Sequence, residues 1–145
     1  MKEYKELRIA IIGCGMISHR HMTVIENLNK RGYNLRVVAA AETDKEKLEK
    51  WGKQYGVAEE NLYQDFREML KRDDIDEVEV CVHNNLHTSV ATAVMAAGYD
   101  CYSEKPMAAA MQMQRFSTMH RKNMERNWLY RSALSIIHRH VSLRR

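Results

Sequence analysis

Two separated positions in the chain carry residues suited to binding a dinucleotide, and the first is a glycine-rich motif. Residues 13–18 read G-C-G-M-I-S, which fits the pattern G-x-G-x-x-S. Gly13 permits a tight turn, and Gly15 lets the backbone approach a pyrophosphate. The charge of that pyrophosphate meets the amides that open the following helix, among them those of Met16 and Ile17. The motif therefore predicts a dinucleotide-binding loop.

The second position is an acidic residue, Glu42, which lies 27 residues beyond Gly15 at the end of an apolar run. The usual spacing is about 20 residues, and the long helix predicted between the two explains the difference. A carboxylate here binds the ribose hydroxyls of NAD and repels the 2′-phosphate of NADP, so we expect NAD in preference to NADP. The alternative is that Glu42 is a solvated loop acid.

Apolar runs and helical patterns alternate along the chain, which indicates what positions these residues. The predicted strands are 8–12, 35–41, 77–82 and 100–103, and the predicted helices are 17–30, 44–55, a short helix after Asp65, and 88–97. Such alternation predicts a doubly wound parallel sheet, a Rossmann-like α/β fold. Ligands of such sheets bind beyond the carboxyl ends of the strands.

Three motifs, each after a predicted strand, together resemble the Gfo/Idh/MocA oxidoreductases. They are the glycine loop at 13–15, N-N-L-H at 84–87 and E-K-P at 104–106, within a resemblance that runs from about residue 8 to residue 108. The resemblance implies a Rossmann domain for NAD(P), followed by a larger α/β domain that supplies substrate contacts and usually the oligomer interface. It also implies hydride transfer between a nicotinamide and a sugar, inositol or similar polyol.

The resemblance further implies roles for individual residues. Lys105 matches the family lysine near the nicotinamide and the reacting oxygen, which makes it the expected catalytic residue. Glu104 matches a residue that holds this lysine or contacts the cofactor. Asn84 and His87 match the loop that passes beneath the cofactor. Residues 82–83 read V-H where the family often has Thr-Pro, so the shape of this loop departs from the family pattern.

The charge balance changes near residue 106. Residues 1–106 hold 15 basic and 18 acidic residues, a net charge of −3, whereas residues 107–145 hold eight basic residues and one acid, a net charge of +7. We expect residues 1–106 to form the dinucleotide-binding domain and 107–145 to form a basic tail, helical or irregular, that is not native to the family. Without the second domain, this chain is expected to bind nucleotide with little turnover.

The tail has two interpretations. Residues 107–145 contain no glycine. Codons read one base earlier would encode a string like Ala-Asp-Ala followed by Tyr-Gly-Lys-Lys-Leu-Ala-Ile, the helix, glycine and strand start that the family has there. One hypothesis is therefore a frameshift near residues 109–111. The alternative is a genuine basic segment, making the protein a binding or regulatory module that contacts nucleic acid or acidic surfaces.

Several classes of protein are not expected. No run of about 18 apolar residues exists, and the charged first residues do not resemble a signal peptide, so we predict a cytoplasmic protein with no membrane partner. The three cysteines are widely spaced and odd in number, which fits a reducing compartment. His19 and His21 point to different faces of a helix and are expected to cap or contact loops. No metal site is predicted. No specific nucleic-acid motif is visible, and an oligomer is compatible with the sequence.

Overall fold

The computed structural model describes residues 6–103. Five strands alternate with four α-helices, and a single 3-10 turn covers Glu59–Asn61. The elements are β1 (Leu7–Ile12), α1 (Met16–Lys30), β2 (Leu35–Ala41), α2 (Lys45–Tyr55), β3 (Leu62–Tyr63), α3 (Phe66–Met69), β4 (Glu77–Val80), α4 (His87–Ala96) and β5 (Asp100–Ser103).

The five strands form one parallel sheet in the order β3-β2-β1-β4-β5. This order reverses direction at β1, and β1 and β4 are neighbours although α1, β2, α2, β3 and α3 separate them along the chain. Such a reversal opens a crevice at the carboxyl ends of the central strands. The prediction of a Rossmann-like α/β fold is confirmed.

Local signals explain where the helices begin and end. The Asp44 carboxylate caps α2 by accepting a hydrogen bond of 3.1 Å from the Lys47 amide, and Asp65 caps α3 through the Arg67 amide at 2.9 Å. Gly56 ends α2 in the left-handed conformation, with φ of +69°. These stops fix the orientation of each helix on the sheet.

Both faces of the sheet are covered, so the core has two halves. One half joins alternate residues of β1 to α1 and α2, with Trp51 of α2 fully buried. The other joins the remaining residues of β1 and β4 to α3 and α4 through Met69, Val90 and Val94. The central strands β1 and β2 are apolar apart from Arg8 and Arg36 near their N-terminal ends, as expected for strands covered on both faces of a parallel sheet. The exception is β4, whose sequence is E-V-E-V.

Most element boundaries agree with the sequence patterns. The predicted strands 35–41 and 100–103 match β2 and β5, and Asp65 caps α3 as expected. The two-residue strand β3 was not predicted, because two residues are too short to show any periodicity. No helix within residues 6–103 has the length and apolar character needed to cross a bilayer.

Candidate functional site

The register of the sheet brings the predicted site residues to one edge, called here the carboxyl edge because the strands end there. Ile12, the last residue of β1, pairs with Ala41 of β2 and with Val80 of β4, and Val80 pairs with Ser103 of β5. The glycine loop, Glu42 and the loop after β4 therefore leave the sheet side by side. These segments are far apart in the sequence, and the parallel pairing of the strands brings them close together in space.

Gly13 makes the turn that leaves β1. Its φ is +94°, and a Cβ atom built on it would lie 2.6 Å from the Cys81 carbonyl oxygen. Its amide also donates a 2.8 Å hydrogen bond to the Ala41 carbonyl. A side chain here would meet both a strained backbone conformation and the neighbouring strand, so the turn requires glycine.

Gly15 has a different role from Gly13. It is the N-cap of α1 in an extended conformation, with φ of −87°, and no side chain caps the helix. Within residues 6–103, and leaving aside its two chain neighbours, the one atom within 4 Å of a Cβ built on Gly15 is the Lys47 ammonium nitrogen at 3.8 Å. Met16 opens the helix with 76% of its surface exposed, and the first turn holds no acid. An uncapped helix N-terminus beside an open backbone has the geometry and the partial positive charge that attract anions.

Ser18 holds the glycine loop in place from its buried side. Its hydroxyl donates to the Gly15 carbonyl at 2.6 Å and accepts from the Trp51 indole at 3.0 Å, and the residue is fully buried. The Ser18 hydroxyl therefore connects the glycine loop to α2 through two hydrogen bonds. The small last residue of the G-x-G-x-x-S motif thus orients the loop.

Glu42 lies beside the glycine loop, as the sequence predicted from its position after β2. One carboxylate oxygen accepts from the Cys14 amide and the Lys47 ammonium, each at 3.1 Å, and the other faces the Asp44 amide at 3.3 Å. Burial opposes ionisation of Glu42, but these hydrogen bonds outweigh it, and the pKa of Glu42 falls below its usual value. Glu42 is therefore an anion at neutral pH.

Lys47 belongs to the site although the sequence reasoning missed it. It lies in the first turn of α2, pairs with Glu42 and approaches Gly15. The available signal was its spacing from Asp44, because an N-cap aspartate directs the third residue after it back towards the preceding loop. Lys47 places a positive charge between the Glu42 carboxylate and the glycine loop.

The loop after β4 contributes an exposed segment and one buried histidine. Asn84 is exposed, and His87 opens α4 with 7% of its surface exposed. A hydrogen bond of 2.7 Å joins the His87 Nδ1 to the Ser103 hydroxyl at the end of β5. His87 thus links two neighbouring strand ends at the carboxyl edge. Glu104 and Lys105, which follow Ser103, lie outside the described residues.

Cys14 lies within the glycine loop but is 1% exposed. Burial, with a further contribution from the charge of Glu42, raises the pKa of the Cys14 thiol to about 12. The thiol is therefore protonated at neutral pH and packs as a small apolar side chain.

A second polar group lies deeper, between α1 and β4. The His21 Nδ1 is hydrogen-bonded to the Glu79 carboxylate, and both side chains are almost fully buried. The expectation that His21 caps a helix or contacts a loop is therefore wrong. The distance of His21 from its helix terminus explains the error, since it lies on the face of α1 that packs on the sheet. Glu77, two residues before Glu79, is also buried.

A groove in the described residues lies away from the carboxyl edge. It has a volume of about 520 Å³ and is lined by residues such as Asn29, Leu35 and Gly56, between the C-terminal ends of α1 and α2. Leu35 is the first residue of β2, so the groove is at the opposite edge of the sheet. None of the predicted site residues lines it.

Sequence comparison identifies a family and several relatives. The family model "Oxidoreductase family, NAD-binding Rossmann fold" of the Gfo/Idh/MocA group matches residues 7–129. The chain is 28% identical over 107 residues to D-apiose dehydrogenase of Paraburkholderia graminis, covering 74% of this chain and 27% of that protein. It is 30% identical over 106 residues to inositol 2-dehydrogenase/D-chiro-inositol 3-dehydrogenase of Halalkalibacterium halodurans, covering 73% and 29%. The chain thus spans less than a third of these relatives.

Solved structures share the fold. The WlbA dehydrogenase from Bordetella pertussis, in complex with NADH and UDP-GlcNAcA, has a TM-score of 0.71 and 23% identity, covering 83% of this chain and 35% of that chain. The apo scyllo-inositol dehydrogenase from Lactobacillus casei has a TM-score of 0.67 and 25% identity, covering 83% and 35%. Both similarities extend over most of this chain and about a third of the other protein.

Proposed function

The chain belongs to the Gfo/Idh/MocA family of oxidoreductases with an NAD-binding Rossmann fold, and on that premise we propose that its carboxyl edge is the nicotinamide dinucleotide site. Gly13, Gly15, Met16 and Ile17 hold the pyrophosphate, and Glu42 holds the adenosine ribose. The observation that carries this proposal is the uncapped N-terminus of α1, open above Gly15 and adjacent to an ionised Glu42.

The residues present fit the cofactor. A pyrophosphate carries charge that the free amides of the first turn of α1 attract, and no described side chain occupies the space above Gly15 except the Lys47 ammonium at 3.8 Å. Glu42 is held by backbone donors, so its orientation is set before the ribose binds. Preorganisation of this kind lowers the entropy lost on binding.

Glu42 also supports NAD in preference to NADP. Its carboxylate accepts hydrogen bonds from the two ribose hydroxyls and repels a 2′-phosphate. Lys47 offsets part of that repulsion, because its ammonium lies 3.1 Å from the same carboxylate and is 45% exposed. Discrimination between the two cofactors is therefore a balance between these two side chains.

The proposed chemistry is hydride transfer between the nicotinamide and a sugar, inositol or similar polyol. The bound cofactor would supply this redox chemistry. Lys105 follows β5 after Glu104, and we assign to it the orientation of the reacting oxygen and the stabilisation of negative charge on it. Asn84 and His87 line the cofactor from the neighbouring loop. Relatives that act on inositol and D-apiose support this substrate class.

The 145-residue chain is proposed to bind nucleotide with little turnover. The resemblance implies that substrate contacts come from a larger second domain, and the similarity covers 27% to 30% of the curated relatives. An assay of the full chain with NAD and inositol or D-apiose distinguishes this from an active enzyme. Turnover comparable to that of the relatives would contradict the proposal.

The test of binding is a titration of the full chain with NADH, followed by calorimetry or by NADH fluorescence. We expect saturable 1:1 binding that weakens about tenfold in Glu42→Gln, because hydrogen bonds to a charged group contribute about 1.5 kcal/mol or more. Glu46→Gln is the matched control, since Glu46 pairs with Lys50 on the exposed face of α2. Equal affinity in Glu42→Gln and wild type would overturn the assignment of the ribose site.

The second candidate function is a binding module, favoured by the net charge of +7 in residues 107–145. Such a module would be retained on DNA by the full chain in a salt-dependent manner. Retention at physiological salt together with no NADH binding would favour this function over the first.

A further inference from the structure

A mixed group of metal-binding side chains lies in the interior, outside the dinucleotide site. Glu79 and Cys81 are two residues apart in the chain at β4, and His21 reaches them from α1. One donor atom from each of the three lies within 4.8 Å of the others. All three residues are at least nine-tenths buried.

The carboxylates of this region lack sufficient partners within the described part of the chain. Oε1 of Glu79 has no hydrogen-bond partner among residues 6–103, and neither oxygen of Glu77 has one. Both side chains are 2% exposed or less. A buried carboxylate oxygen without a partner costs several kcal/mol, so the region favours a bound cation.

The donor set selects a class of ion. Imidazole nitrogen, thiolate sulfur and carboxylate oxygen are the three ligand types of zinc sites, whereas calcium and magnesium prefer oxygen alone. A divalent ion with one ionised glutamate, one thiolate and a neutral histidine forms an electrically neutral group. Neutrality is what a site of low dielectric requires. Glu77 lies two residues before Glu79 on the same strand and is also buried.

We propose that His21, Glu79 and Cys81 form a buried binding site for a single divalent transition metal ion of the zinc class. This site is absent from the sequence expectations, because its ligands come from two elements and have no zinc-ligand spacing. A zinc ion needs ligand distances of about 2.0–2.3 Å, which requires the His21–Glu79 hydrogen bond to open by roughly 1 Å. The burial of all three ligands implies loading during folding.

The test is metal binding by the full chain, unfolded in a chelator and refolded with Zn²⁺ or Co²⁺. We expect one tightly bound metal ion per chain. With Co²⁺ we expect a thiolate-to-cobalt absorption band, and Zn²⁺ should raise the melting temperature in proportion to the logarithm of its concentration. Absence of both the band and the stabilisation in the folded wild-type chain would overturn the proposal.

Variants assign the band to a residue. The chain has three cysteines and residues 104–145 contain none, so histidines of the tail cannot produce the thiolate band. Cys81→Ser should abolish the band, and Glu79→Gln should weaken metal binding at least tenfold. Cys101→Ser is the matched control, since Cys101 packs in the other half of the core. A band that persists in folded Cys81→Ser, or disappears in Cys101→Ser, would contradict the site.

The wild-type measurement does not depend on the variants folding. If Cys81→Ser fails to refold, His21→Gln and Glu79→Gln retain the thiol and test the same site, with far-ultraviolet circular dichroism as the check of folding. The proposal is also independent of nucleotide binding, because NADH titration of the metal-free chain reports on the carboxyl edge alone.

Discussion

Two glutamates associated with the same sheet have opposite environments. Glu42 at the carboxyl edge of β2 is held by the Cys14 amide and the Lys47 ammonium, and its pKa is lowered. Glu77 on β4 is 2% exposed, has no carboxylate partner within residues 6–103, and its pKa is raised well above the usual value by burial and by the nearby charge of Glu79. The carboxyl edge is built to keep a charge, and the interior of β4 is not.

The comparison separates binding from stability. At the carboxyl edge, donors that hold Glu42 also prepare it for a ligand. On β4, a buried carboxylate lowers the stability of the domain unless a cation or a proton neutralises it. Substitutions of the two glutamates should therefore change the free energy of unfolding in opposite directions, and substitutions at the carboxyl edge should also change NADH affinity.

Gly15→Asp is expected to give the largest effect, a loss of at least about 100-fold in NADH affinity, because like charges brought together cost several kcal/mol. Gly15 has an extended conformation and open space for a side chain, and aspartate is a good N-cap. The free energy of unfolding should therefore stay the same or rise by a few tenths of a kcal/mol. Calorimetric titration and urea denaturation measure the two quantities. Unchanged NADH affinity in a folded Gly15→Asp would show that the loop does not hold the pyrophosphate.

Glu77→Met is expected to stabilise the chelator-treated chain by about 1–3 kcal/mol at pH 7, because it replaces an unpartnered buried carboxyl by an apolar side chain. The matched variant Glu42→Met should destabilise it by about 1–2 kcal/mol, because it removes a charged acceptor of several hydrogen bonds. Urea denaturation measures both. The comparison fails if both substitutions change stability in the same direction.

The pH dependence of stability should follow the lowered pKa of Glu42. A depressed pKa in the folded state means that the contribution of Glu42 is present above its usual pKa of 4.5 and is lost as pH falls through the lower folded value. The stability difference between wild type and Glu42→Gln should therefore be constant from pH 5 to 7 and shrink below about pH 4.5. Denaturation midpoints across this range measure it. A difference that grows on acidification would contradict the hydrogen bonding seen at Glu42.

Lys47→Met should have the smallest effect, a loss of about 2- to 5-fold in NADP affinity with less change for NAD, since an exposed charge is largely screened. Lys50→Met, which removes an exposed cation of the same helix, is the control. Titrations with NAD and NADP give the ratio of the two affinities in each variant. A gain in NADP affinity would contradict the role given to Lys47.

The residues of the carboxyl edge could be predicted from the sequence because local sequence patterns indicate them. The glycine motif, the acid after β2 and the alternation of strands and helices each act over a few residues, and they placed Gly13, Gly15 and Glu42 correctly on the fold. The cofactor-binding roles of these three residues stay predictions, as do the roles of Met16, Ile17, Asn84, His87, Glu104 and Lys105.

The interior of β4 could not be predicted in the same way. The alternation E-V-E-V is typical of a strand with one solvated face, yet both faces of this strand are covered by other elements. Pairing of His21 with Glu79 joins residues 58 positions apart, and no local pattern signals it. Lys47 was missed because an exposed lysine on a helix is ordinary until the fold brings it to Glu42.

The most direct measurement of the central claim is a residue-level map of NADH binding by amide NMR on the full chain, with the glycines as reporters. Gly13 and Gly15 lie at the carboxyl edge, whereas Gly32 and Gly56 follow helix ends at the opposite edge. We predict large shift changes for Gly13, Gly15 and the amides of Met16 and Asp44, with little change at the other two glycines. Changes centred on Gly32 and Gly56 would mean that the nucleotide binds at the groove on the opposite edge and would contradict the account.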